Sequence, residues 1–210
     1  MKLICISIVL FSSNLLFAQY GVLNVEEEIY YKNDTIRGTY VSAFNKEWAE
    51  NIPKAPFVIF IPGSGPTDRN GNSQFSASKA DVFLRLADSL AKKGISSFRY
   101  DKIAVGKSTF NSSEKDLRFE DNVAVVLEII KQLKAKLKLE NIYLMGHSEG
   151  SLVAMLSCQK ADIKGFISLS GPSQNACSLL KDQMNSNLKE PLLSEAIEKL
   201  DSLGNGHQVK

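Results

Sequence analysis

Residues 146–150 read Gly-His-Ser-Glu-Gly, between the β-forming run NIYLM (residues 141–145) and the small, apolar, helix-like run SLVAML (residues 151–156). A serine at such a corner has a specific chemical use. Where a strand turns sharply into a helix, the backbone packs against itself, and Gly146 and Gly150 remove the side chains that would clash. The Ser148 hydroxyl is then held up and exposed. The N–H of Glu149, at the helix N-terminus, adds partial positive charge that can stabilise an oxyanion. Nucleophile plus oxyanion donor is the equipment of acyl transfer. The competing reading is that Ser148 merely caps the helix; the apolar strand before it and the small-residue helix start after it favour the nucleophile position.

A serine nucleophile needs a base, and the base needs an orienting acid. The chain has two histidines. His147 adjoins Ser148, so its side chain leaves the backbone in another direction. His207 lies in the tail LGNGHQVK with no strand before it. Asp182, Glu190, Glu195, Glu198 and Asp201 sit among lysines at helical spacing, the pattern of a solvated face. No acid–base pair for Ser148 stands out. Cysteine and histidine spacing offers no metal site, and no cofactor motif is present.

The elements that would position Ser148 alternate. EEEIYYKNDTIRGTYVSA predicts a hairpin broken at Asn33-Asp34. FVIFI, residues 57–61, is a continuous apolar run, as expected of a strand buried on both faces. Helices are expected over ADVFLRLADSLAKKG, RFEDNVAVVLEIIKQLKAKL and SEGSLVAMLSCQK, with strands at ISSFRYD, NIYLMG and DIKGFISLSGP. This order predicts an α/β fold: a mostly parallel sheet with helices on both faces, running to Pro172. Residues 173–210 are polar-helical, broken at Pro191.

Residues 1–19 have one positive charge, an apolar run and Leu16-Phe17-Ala18 before Gln19, which reads as a cleaved signal peptide and an exported protein without a stable membrane anchor. Cys158 is expected to pack as a small apolar residue rather than bridge to Cys177. With 210 residues, 44% hydrophobic, and a net charge of +2, the chain has one good core and no basic field for nucleic acid. Oligomeric state is not legible in it.

Several stretches in order, FIPGSGPTDRNGN, FRYDKIAVGKS and GHSEGS, resemble the α/β-hydrolases, especially secreted bacterial serine aminopeptidase-like and small-ester esterase-like members. The resemblance spans about residues 26–172. It implies a serine hydrolase acting on a small-molecule acyl substrate, by ester or peptide cleavage, with Ser148 as nucleophile. It places the oxyanion donors at the N–H groups of Ser64 and Glu149. Asp68 and Arg69 are read as pairing or shaping the oxyanion loop. Ile103-Ala104 departs from the Arg-Gly common in relatives. The family orders its triad as serine, acid, histidine, so residues 173–210 resemble the start of the lid, with the C-terminal strands, acid and histidine missing. A non-catalytic remnant on the same scaffold is the alternative.

Overall fold

The computed structural model describes residues 21–44 and 52–209; the expected signal peptide lies outside them. The sheet is built around β3 (Pro56–Ile61), in which every side chain from Phe57 to Ile61 is buried. Alternation divides them between two cores. Phe57, Ile59 and Ile61 face one cluster, Val58 and Phe60 the other. Burying each such side chain stabilises the fold by about 1.5–3 kcal/mol, so β3 anchors both layers.

In chain order the remaining elements are β1 (Gly21–Tyr31), β2 (Asp34–Phe44), α1 (Val82–Ala91), β4 (Ser96–Tyr100), α2 (Phe119–Leu137), β5 (Asn141–His147), α3 (Glu149–Cys158), β6 (Gly165–Leu169), α4 (Ala176–Asn187) and α5 (Leu192–Gly204). A short 3₁₀ turn at Glu114–Asp116 precedes α2. The strands lie in the order β1-β2-β4-β3-β5-β6. β1/β2 and β2/β4 are antiparallel, and the pairs from β4 to β6 are parallel.

Helix faces follow the apolar spacing. α1 buries Phe83, Ala87 and Ala91 against Val58 and Phe60, whereas α2 buries Val123, Val126, Ile130 and Leu133 on the opposite face. α3 joins α2 through Val153 and Ala154. Helices therefore cover both faces, as the alternation of elements predicts. Cys158 and Cys177 are both free thiols, and Cys158 packs beside the core.

The hairpin turn falls one residue earlier than its Asn-Asp dipeptide implies. Lys32, at φ 52°, and Asn33 make the turn, and Asp34 opens β2 opposite Tyr31. Asp34 is drawn into the strand because its buried carboxylate accepts the Asn111 N–H at 2.7 Å. At the other side of the sheet β6 is the outer strand, with Phe166 and Ile167 each about 40% exposed. Beyond it the chain is helical, with α4 and α5 separated near Pro191.

Candidate active site

The corner between β5 and α3 is as tight as its glycines imply. Ser148 has φ 52° and ψ −125°, a backbone conformation that side-chain-bearing residues rarely adopt, and its side chain makes no cap hydrogen bond to α3. A methyl group on Gly146 would lie 2.1 Å from the Gly150 carbonyl oxygen. One on Gly150 would lie 2.3 Å from that of Ile61 and 2.5 Å from that of Pro62. Both contacts are to backbone, so neither can relax by a rotamer change. The Ser148 N–H donates to the Leu169 carbonyl at 2.9 Å, and Ser151 Oγ donates to the Gly146 carbonyl at 2.6 Å. Strand β6 and the first turn of α3 thus fix the strained residue from two sides. Strain of this kind, of order 1–3 kcal/mol, persists only where the surroundings over-determine it.

The loop after β3 reaches this corner. A methyl built on Gly63 would stand 3.4 Å from Ser148 Cβ and 3.3 Å from the His147 carbonyl oxygen, so the two backbones are in close approach. Ser64 follows, exposed. Among the described residues, neither the Ser64 N–H nor the Glu149 N–H donates to another group. Neither N–H has a protein acceptor, and the two belong to the two elements named by the family resemblance, the loop in close approach to Ser148 and the residue that follows it.

A buried ion pair fastens the rest of the loop. Arg69 Nη2 and Nε donate to the Asp101 carboxylate at 2.7 and 3.1 Å, and the Arg69 backbone N–H donates to it at 2.9 Å. Arg69 Nη1 reaches Glu26 of β1 and Thr39 of β2. Burial opposes the Arg69 charge, but the hydrogen bonds and charge of Asp101 outweigh it and raise its pKa. Burial likewise opposes ionisation of Glu26, yet its bonds to Arg69 and Thr39 leave its pKa lowered. Arg69 and Asp68 do not pair with each other. Asp68 instead accepts the Asn70 and Asn72 N–H groups at 2.8 and 2.9 Å, closing its own turn. Both residues shape the loop by separate means.

Asp101 also organises the turn after β4, accepting the Lys107 N–H at 3.0 Å, while Ser108 Oγ donates to the Asp101 carbonyl at 2.8 Å. Gly106 is required there, since a methyl would stand 2.6 Å from the Asp101 carboxyl. Ala104, where the family resemblance leads to the expectation of glycine, holds φ 61° despite its side chain. Lys102, a residue that sequence reasoning passed over as one of many scattered lysines, crosses from this turn to the corner. Its Nζ donates to the Gly63 carbonyl at 3.0 Å and to Glu149 Oε1 at 3.3 Å.

Beside Gly65, Lys102 and Glu149 opens a cleft of ≈ 960 Å³. Its walls are mixed: Phe75, Ile103, Phe110 and Phe119 are apolar, Asn122 and Arg118 polar. No sequence signal marks this cleft, because its walls come from the β3–α1 and β4–α2 loops and the starts of α2 and α3.

Neither histidine ring contacts an acid–base partner of Ser148 among the described residues. The His147 ring lies edge-on to Phe83 of α1, with centroids 6.5 Å apart. His207, exposed beyond α5, donates its backbone N–H to the Ser202 carbonyl at 2.9 Å. Among the described residues no hydrogen bond joins either ring to Ser148, and no group of three His, Cys, Asp or Glu could hold a metal ion.

Residues 56–194 match the sequence profile of the alpha/beta hydrolase fold. The chain belongs to that family. It is 27% identical over 140 residues to esterase EstD of Thermotoga maritima, a match covering 63% of this chain and 32% of that esterase. Among solved structures it resembles the esterase Pf2001 of Pyrococcus furiosus, with a TM-score of 0.56 and 20% identity over 83% of this chain and 62% of that one. Est1E of Butyrivibrio proteoclasticus with bound ferulic acid gives a TM-score of 0.53 and 20% identity, covering 79% and 58%. At these identities the structural likeness concerns the fold alone. The chain spans about a third to three-fifths of the length of these relatives.

Proposed function

We propose that this α/β-hydrolase is an exported serine hydrolase that cleaves carboxylic esters of small molecules. Ser148 Oγ is the nucleophile, and the N–H groups of Ser64 and Glu149 receive the oxyanion of the tetrahedral intermediate. One observation carries the reading: a serine held at φ 52° on a strand-to-helix corner, in close approach to a loop that presents an unused N–H. Such strain concentrates at functional sites, and two free backbone donors beside a hydroxyl serve acyl transfer better than any structural end. The mixed lining of the cleft suits an ester with an apolar portion, in keeping with the esterases it resembles. The leader-like residues 1–19 support export.

The general base is not among the contacts of Ser148. In this reading an acid and a histidine reach the corner from polypeptide beyond those contacts, the family's order being serine, acid, histidine. The test compares hydrolysis of p-nitrophenyl butyrate by the 210-residue chain and by a chain extended with an acid- and histidine-bearing segment, each with Ser148 or Ser148→Ala. Oxyanion donors alone support at most about a 10³–10⁴-fold acceleration over water. The short chain is therefore expected to be slow and almost indifferent to Ser148→Ala, and the extended chain fast and strongly dependent on it. An extended chain that keeps its rate without Ser148 overturns the nucleophile assignment.

A second reading, a scaffold without turnover, draws on the same lack of a histidine contact. No extension would then confer Ser148-dependent activity.

A further inference from the structure

The Gly63–Ser64 peptide unit carries two groups of interest: the carbonyl that accepts from Lys102, and the N–H assigned above to the oxyanion. The unit is trans, so the two point in opposite directions. Fixing one fixes the other. With Lys102 Nζ 3.0 Å from the Gly63 oxygen, the Ser64 N–H is directed away from the ammonium. The charge also matters. A cation bonded to an amide oxygen draws electron density through the conjugated unit and makes its N–H a stronger donor, the cooperative effect seen in hydrogen-bonded chains.

The same ammonium lies 3.3 Å from Glu149 Oε1, and Glu149 supplies the second N–H. An uncompensated carboxylate on that residue would repel the negative charge the N–H is meant to stabilise. Lys102, on the cleft wall, thus touches the residues that supply both halves of the oxyanion site. Its side chain is 13% exposed and Glu149's is 33% exposed, so water screens the contact only partly. We propose that Lys102 is the positioning residue of the oxyanion site: it orients and polarises the Gly63–Ser64 peptide and neutralises Glu149, without itself touching the reacting atoms.

The proposal rests on the oxyanion role assigned to Ser64, and its test separates the two. ¹H–¹⁵N spectra of the ¹⁵N-labelled full chain are compared with those of Lys102→Met, Lys102→Arg and Glu149→Gln. Losing a cation from the preceding carbonyl moves the Ser64 nitrogen upfield. Lys102→Met is expected to do so with an unchanged melting temperature, Lys102→Arg to restore the resonance, and Glu149→Gln to leave it nearly in place. In a chain competent for turnover, Lys102→Met should lower kcat for neutral p-nitrophenyl acetate about tenfold with KM little changed, a fraction of the loss expected on deleting a whole donor. A Ser64 resonance indifferent to Lys102→Met overturns the proposal. So does a shift that Arg fails to restore, or one spread over the whole loop together with a lower melting temperature. A kinetic defect confined to KM for the anionic p-nitrophenyl hemisuccinate would overturn it too, making Lys102 a group that binds substrate charge. A Ser64 amide that follows Lys102 in a chain with no hydrolysis under any extension would sink the hydrolase reading and leave this one standing.

Discussion

Replacing Gly150 by alanine probes the packing that holds Ser148 in place. The new methyl would stand 2.3 Å from the Ile61 carbonyl oxygen, 2.5 Å from the Pro62 oxygen and 2.9 Å from the Ile61 carbonyl carbon. Reaching an ordinary separation requires the start of α3 to move from β3 by roughly 1 Å. Every clashing atom is backbone, and β3 is held between β4 and β5, so the helix must yield. Overpacking costs typically about 1–3 kcal/mol, and a rigid backbone contact belongs at the upper end. For a chain of this size, about 3 kcal/mol corresponds to a fall in Tm of roughly 6–12 °C. Gly65→Ala is the control: its φ is +69° but nothing lies within 4 Å of the added methyl, so only left-handed strain of about 1–2 kcal/mol applies. Differential scanning calorimetry of the three proteins decides. A Gly150→Ala protein that melts within 2 °C of the parent (about 1 kcal/mol or less), or no lower than Gly65→Ala, would refute the claim that the corner is set by backbone contact.

Asp101→Asn removes the partner of a buried guanidinium and is expected to cost about 3 kcal/mol, measured by urea denaturation; a loss below ~1 kcal/mol would show that Glu26 alone suffices for Arg69. Ala104→Gly relieves a left-handed φ of 61° and should raise Tm by about 2 °C after the extra chain entropy of glycine is allowed for. The Arg118 backbone N–H, followed by Lys32, holds the Asp121 carboxyl below its ordinary 3.8, so the unfolded chain takes up this proton first. The stabilisation is present above pH 3.8 and fades as pH falls through the lowered value; melting curves of the parent and Asp121→Asn should therefore differ near neutrality and converge in acid, and a constant gap would contradict the assignment.

The features legible in the sequence were those written in local pattern. A run such as FVIFI leaves no polar face, so its burial between two helical layers follows from composition alone, and the apolar spacing of ADVFLRLADSLAKKG marks a helix; which face α1 buries, Phe83, Ala87 and Ala91 with Val82 left exposed, is set by the sheet it packs on. The Gly146–Gly150 spacing identified the corner because the steric demand there is local too. What escaped notice depends on long side chains crossing between distant segments. Lys102 reaches Gly63 and Glu149, 39 and 47 residues away, and nothing in its neighbours distinguishes it from a solvated lysine. Arg69 beside Asp68 looks like an adjacent pair, yet the demand of the Asn70 and Asn72 N–H groups occupies Asp68 and leaves Arg69 to Asp101. The cleft was hidden for the same reason, being enclosed by two loops and two helix starts that only the fold brings together.

The most direct measurement is a crystal structure of the chain soaked with a short alkyl boronic acid, which a serine hydroxyl captures as a tetrahedral adduct resembling the acyl-transfer intermediate. The proposed site predicts a bond from Ser148 Oγ to boron, with one boronate oxygen about 2.7–3.1 Å from both the Ser64 and Glu149 backbone nitrogens. A boronate bound through another residue, or one on Ser148 whose oxygens all turn away from those two N–H groups, would contradict it.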